Sequence, residues 1–139
     1  MIPFPRMVVG KRSYGGGVMT LFEAVGGEQY FRGLVDDFYD RVDTDPTIRP
    51  LYPEDLTESR ERTALFLIQY WGGPTTYSDQ RGHPRLRMRH MPFPIGMVER
   101  NAWLRHMTAA VFASGVDHRA AEQMNNYFAN SSLAMINQE

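Results

Sequence analysis

The chain has 139 residues, 42% of them hydrophobic and 22% charged, and fifteen Lys and Arg against sixteen Asp and Glu leave a net charge of −1. That length accommodates one domain with its own core, and the near balance of charge supplies no global field for nucleic acid or acidic lipid. Cysteine is absent, which excludes disulfides, thiolate catalysis and sulfur-ligated zinc or iron–sulfur centres, so any metal must be held through nitrogen or oxygen.

Residues 1–19 mix prolines, scattered bases and the run Gly15-Gly16-Gly17 without any apolar period, and they read as a flexible extension ahead of one domain over 20–139. The glycines and prolines interrupt anything that could serve as a secretory signal. No run elsewhere approaches the roughly 18 to 20 apolar residues of a membrane helix. The expectation is a cytoplasmic protein with no membrane and no nucleic-acid partner.

Ordered sequence begins at Thr20, a natural cap for a short helix through Val25 that Gly26-Gly27 closes. A second helix follows, with Phe31, Leu34, Val35, Phe38, Tyr39 and Val42 on one stripe and Asp36, Asp37, Asp40 and Arg41 elsewhere on the wheel. Asp45-Pro46 and Arg49-Pro50 break it, and Leu51-Tyr52-Pro53 forms a bend in which two prolines fix Tyr52. A third helix runs from Thr57 or Ser59 to Trp71, with Leu65, Phe66, Ile68 and Gln69 along its inner side, and Gly72-Gly73-Pro74 ends it. A basic turn leads to His90 and the Met91-Pro92-Phe93-Pro94 exit. A fourth helix then carries Val98, Trp103, Leu104, Met107, Ala110 and Val111 as far as Gly115. Asp117 caps a fifth, striped by Ala121, Met124, Tyr127, Phe128, Ser131 and Met135. No strand-like alternation of useful length and no internal repeat occurs, so the fold class is all-α.

With no cysteine, the four histidines are the candidate metal ligands. His118, between Asp117 and Arg119, reads as a surface residue, and His83 sits in a Gly-His-Pro turn. His106 follows Trp103 by three residues, where a structural role is the plainer reading. His90 is bracketed by Leu86 and Phe93, while Arg87 and Arg89 flank it with positive charge, the surroundings that an axial ligand of an iron porphyrin requires. Spacing alone still leaves a purely structural histidine open. Zinc finds no second-ligand pattern such as His-Glu-x-x-His. The basic run 81–89 lacks the interleaved aromatics of a nucleic-acid surface.

A longer pattern goes further. Gln69-Tyr70-Trp71-Gly72-Gly73-Pro74, then Tyr77-Ser78, then Arg81-Gly82-His83-Pro84 with Leu86-Arg87, Arg89-His90 and Pro92-Phe93, resembles the group II, actinobacterial-type branch of the truncated haemoglobins. The resemblance runs from Thr20 to the end and includes Phe38-Tyr39, Leu51-Tyr52-Pro53 and Ala102-Trp103-Leu104. It implies a truncated globin fold, a two-over-two helical sandwich around haem b (iron protoporphyrin IX), with a largely non-helical loop ahead of the proximal His90. It also implies a distal pocket built by the donors Tyr39, Tyr52 and Trp103, with Ser59 and Thr63 on the third helix. Thr63 stands where the family leads one to expect leucine. Phe66, Tyr77, Arg87, Arg89 and Phe93 are implied to contact the cofactor.

The implied activity is reversible binding of oxygen and other small haem ligands at five-coordinate iron. It suits ligand or redox chemistry with nitric oxide, peroxide or sulfide, in the manner of a nitric oxide dioxygenase or peroxidase, better than bulk oxygen transport. An unidentified reductase and a second copy in a homodimer are the protein partners left open. The alternative from another class is a cofactor-free helical interaction module whose Met-rich and aromatic stripes form a partner groove.

Overall fold

The structure is a computed structural model that describes the backbone of residues 11–14 and 17–138 and the side chains of residues 19–138. Two short strands, β1 (Lys11–Tyr14) and β2 (Gly17–Thr20), pair antiparallel with Lys11 opposite Thr20. Paired strands thus lie largely within the segment read as an extension, beside a fold that is otherwise all-α as expected. Residues 1–10 of that extension lie outside the described residues. The strands have no period-2 apolar pattern to reveal them, because β1 is Lys-Arg-Ser-Tyr and β2 places Val18 and Met19 side by side.

Thr20 ends the hairpin and caps α1 (Leu21–Val25). Its hydroxyl accepts from the Glu23 N–H at 3.1 Å, and the Glu23 carboxylate accepts from the Thr20 N–H at 3.0 Å. Gly26 turns the chain in the left-handed region (φ +117°), and α2 (Gly27–Asp43) starts at once. Every residue of the expected stripe, from Phe31 to Val42, is buried along α2. A turn of 3₁₀ helix at Arg49–Leu51 forms the bend, α3 spans Thr57–Tyr70, α6 Met97–Ala113 and α7 His118–Ala134. As expected, Asp117 caps α7, its carboxylate accepting from the Ala120 N–H at 3.0 Å.

Between α3 and α6 the chain forms two further helices, α4 (Thr76–Arg81) and α5 (Leu86–His90), where the sequence suggests a turn and a loop. Neither is long enough to show a 3.6-residue period, and α5 has two arginines among its five residues. Val98, placed on the inner side of α6 from its spacing, is 66% exposed; the inward residues are Ala102, Met107, Ala110 and Val111.

The core is made where α2 packs on α3 and α6, and α6 on α7. Phe31, Phe38, Trp71, Met107, Met124 and Phe128 are its large, fully buried side chains. The end of α3 is locked by backbone proximity. A Cβ on Gly72 (φ +109°) would lie 2.4 Å from the Thr20 Cβ, and one on Gly73 2.8 Å from both Ile68 and Phe22. The two glycines therefore stop the helix and admit the α1 cap against it, and the Phe22 N–H donates to the Trp71 carbonyl at 2.9 Å. Among the described residues no helix is long and apolar enough to cross a membrane.

Candidate functional site

A cavity of about 800 Å³ lies between the bend, α2, α3, α5, α6 and α7. That volume is within the range of small-molecule and cofactor sites. Its walls bring together ten of the eleven residues singled out from sequence: Tyr39, Tyr52, Ser59, Thr63, Phe66, Tyr77, Arg89, His90, Phe93 and Trp103. Arg87 does not line it. One turn of α5 sends side chains two positions apart to different sides, and Arg87 faces outward while Arg89 faces the cavity.

His90 is the last residue of α5, and its Nδ1 lies 2.6 Å from the Leu86 carbonyl oxygen. A carbonyl can only accept, so Nδ1 carries the proton and the Nε2 lone pair is left for another partner. The loop beyond it is held from the far end of the chain. Asn137 donates through Nδ2 to the carbonyls of Phe93 (2.8 Å) and His90 (3.3 Å), and its Oδ1 accepts from the Ile95 N–H at 2.9 Å. Sequence reasoning missed Asn137, which follows the end of α7 where no periodic pattern reaches. Among the described residues lining the cavity, His90 is the only histidine. His106 is occupied by Asp45, with Nε2 to Oδ2 at 2.6 Å, while His83 and His118 are exposed.

The donors come from three elements. Tyr39, on α2, is buried, and its hydroxyl is 2.8 Å from that of Thr63 on α3, so Thr63 is a polar partner where an apolar wall residue is the family expectation. Tyr52 meets Tyr39 edge to face, with ring centroids 5.6 Å apart, and the Trp103 indole hydrogen-bonds the Tyr52 hydroxyl. Burial pushes both phenols above their ordinary pKa; the Thr63 bond partly offsets this for Tyr39, and the Trp103 bond does so for Tyr52. Both therefore remain neutral donors at physiological pH. Trp103 itself is wedged edge-on between Phe38 (5.4 Å) and Phe128 (5.9 Å).

The bend is rigid for a reason the sequence does not display. The Arg49 guanidinium donates to the carbonyls of Tyr52 (3.4 Å), Pro53 (2.9 Å) and Glu54 (2.8 Å) and pairs with Asp43 at 2.9 Å. Prolines prevent this stretch from satisfying its carbonyls by a helical ladder, and one arginine does so instead.

Four arginines, Arg62, Arg81, Arg89 and Arg100, reach the cavity wall. Arg89 is committed to the loop it lies under: its Nε donates to the Pro84 carbonyl at 2.6 Å and a terminal nitrogen to that of Arg81 at 3.0 Å. Its Cζ sits 5.9 Å from the Tyr77 ring centroid. Arg100 is likewise tied to α7 through Ser132 (3.0 Å) and the Ala129 carbonyl (2.8 Å). Arg62, which the sequence reading did not select, makes only long contacts, 3.5 Å to Ser59 and 4.0 Å to Glu58. Tyr77 is set by Gln69, which grips Ser78 through its hydroxyl (2.7 Å) and its N–H (3.0 Å), and Tyr77 packs edge-on to Phe66 at 5.7 Å.

One imidazole with its Nδ1 committed to the backbone, aromatic walls and lining arginines form a set suited to a porphyrin. Among the described residues no three His, Asp or Glu side chains cluster to hold a bare metal ion. Comparison with known proteins agrees. The model of the bacterial-like globin family matches residues 20–137. The group 2 truncated haemoglobin YjbI of Bacillus subtilis (strain 168) is 40% identical over 117 residues, 84% of this chain and 88% of that protein. The haemoglobin of Chloroflexus aurantiacus is similar in structure with a TM-score of 0.84 and 55% identity, over 85% of this chain and 98% of that one. That of the actinobacterium Thermobifida fusca gives 0.84 and 52%, over 86% and 98%. The chain belongs to the bacterial-like globin family as a group II truncated haemoglobin, a haem protein that binds small ligands.

Proposed function

We propose that the cavity takes haem b with His90 as its single protein ligand, leaving the sixth position of the iron open. The observation that carries this is the His90 hydrogen bond to Leu86, which fixes the tautomer and leaves Nε2 as the free donor inside the cavity. When bound, the group supplies an iron centre that coordinates a small ligand reversibly and exchanges single electrons. Phe66 and Phe93 give the apolar contact for its ring. Arg62, held only by its long contacts to Ser59 and Glu58, and the Tyr77 hydroxyl are the partners for its propionates.

The remaining residues act on the ligand. Tyr52 and Trp103 present O–H and N–H donors that stabilise partial negative charge on it, each contact being worth roughly 1.5 to 3 kcal/mol. Tyr39 holds that pair in place by its ring contact and is itself anchored by Thr63. Several donors slow ligand escape, which makes a poor carrier. We therefore favour redox or ligand chemistry, with nitric oxide, peroxide or sulfide as the reacting class, sustained by an electron donor.

Titration of the purified apoprotein with haemin tests the reading. A one-to-one rise of a sharp Soret band, with a pyridine haemochrome spectrum of the b type, is the expected result. A protein that is isolated colourless and takes up no haemin would return the cavity to the cofactor-free interaction module.

A further inference from the structure

The segment from Gln80 to Val98 holds four arginines and no Asp, Glu or Lys, in a chain whose net charge is −1. Arg89 is occupied with backbone carbonyls, but Arg81, Arg85 and Arg87 are exposed and take part in none of the ion pairs among the described residues. Beside these cations stand Met88 (56% exposed), Met91 (59%) and Met97 (52%). An exposed segment that interleaves arginine with methionine, with Lys, Asp and Glu missing between Asp79 and Glu99, has the composition of a protein-binding face. Phe93 is 43% exposed and also lines the cavity, so this surface and the haem pocket share a side chain.

We propose that this face docks a small acidic electron-donor protein carrying a flavin or an iron–sulfur centre. The inference rests on the haem reading above, since it gives the electron a destination. The charge identifies the partner class. A segment of four arginines without an acid attracts a negatively charged surface, and it does so on the proximal side, beside His90. A second copy of this chain is a poor counterpart, because the acids of α2 and α3 are already paired within the chain: Asp36 and Asp40 with Arg60, Glu28 and Glu61 with Arg32. Exposed methionine suits a transient complex, as its unbranched, polarizable side chain adapts to a partner that must also leave. The step is a transfer of one electron: the reduced flavin or cluster is oxidised by one electron, ferric iron becomes ferrous, and no atom moves between the proteins.

The test uses the haem-loaded full chain and two probes, an acidic flavodoxin and a plant-type [2Fe–2S] ferredoxin, with calorimetry for binding and anaerobic stopped-flow for ferric-to-ferrous reduction. Binding of at least one probe is expected, weakening as salt rises. The double variant Arg85→Glu, Arg87→Glu is expected to weaken it about tenfold or more, and Met91→Ser to weaken it without changing the salt dependence. Both should keep the parent Soret band and oxygen dissociation rate, which separates failure of docking from failure of the haem reading. Binding of neither probe overturns the proposal, as does binding that the charge reversal leaves unchanged. So would capture of the protein by phosphatidylglycerol vesicles in preference to both probes, or self-association that the same variants abolish.

Discussion

The side chains that decide the chemistry are held by very few contacts each, and the consequences are separable by substitution. Tyr52 and Trp103 share one hydrogen bond and, on the reading proposed above, one ligand, so their effects on ligand escape are expected to be coupled. Tyr52→Phe and Trp103→Phe are each expected to speed oxygen dissociation by about ten- to a hundredfold, the range for loss of one donor to a charged acceptor. The double variant should fall short of the product of the two. Rapid-mixing measurements of oxygen release check this, and parent-like rates in both single variants would remove the donor cage. The resemblance to the family names Tyr39, Tyr52, Trp103 and His90 together, and all four line one cavity, whereas stripe, prolines and apolar bracket alone left them open to plain core packing. It did not separate Arg87 from Arg89. That choice depends on where a five-residue helix starts, which no periodicity can set.

At the scale of elements, the junctions hold the site more than the helices themselves. Gly72 closes α3 in a conformation that side chains avoid, with Thr20 directly in the space a Cβ would take. Gly72→Ala is expected to lower stability by about 1 to 3 kcal/mol, read from the denaturant midpoint at unchanged slope. A second junction ties the bend to α6 through Asp45 and His106 at 2.6 Å. The Asp45 carboxyl is held below its ordinary pKa, first by the His106 bond and then by the Thr47 N–H. A depressed folded pKa stabilises above the unfolded value of about 3.9 and is lost as pH falls through the folded value. Asp45→Asn should therefore be less stable than the parent near neutral pH, with the gap closing in acid as the parent carboxyl protonates. A gap that persisted or widened in acid would contradict the assignment. The long helices were legible because α2 and α7 bury most of their apolar period and carry recognisable caps or breakers. The hairpin, α4 and α5 were not, since four to six residues are too few to show a period and their stability comes from neighbours.

The whole molecule is a two-over-two sandwich with its core between the helix pairs and a cavity lined from α2, α3, α5, α6 and α7. Charge is distributed unevenly over it: acids along α2 and α3 are paired at home, and Arg81, Arg85 and Arg87 of the segment around His90 enter no ion pair among the described residues. On the reading proposed above, neutral donors serve the ligand and the arginine-rich segment serves a partner, and both roles depend on His90 holding the iron. The most direct measurement compares the ferrous absorption spectrum and haem affinity of the parent with those of His90→Gly, with and without added imidazole. The account predicts that the variant loses the parent spectrum and binds haem about ten- to a hundredfold more weakly or worse, and that imidazole in solution restores the spectrum by occupying the vacated space. Retention of the parent spectrum and affinity by His90→Gly without imidazole would contradict it.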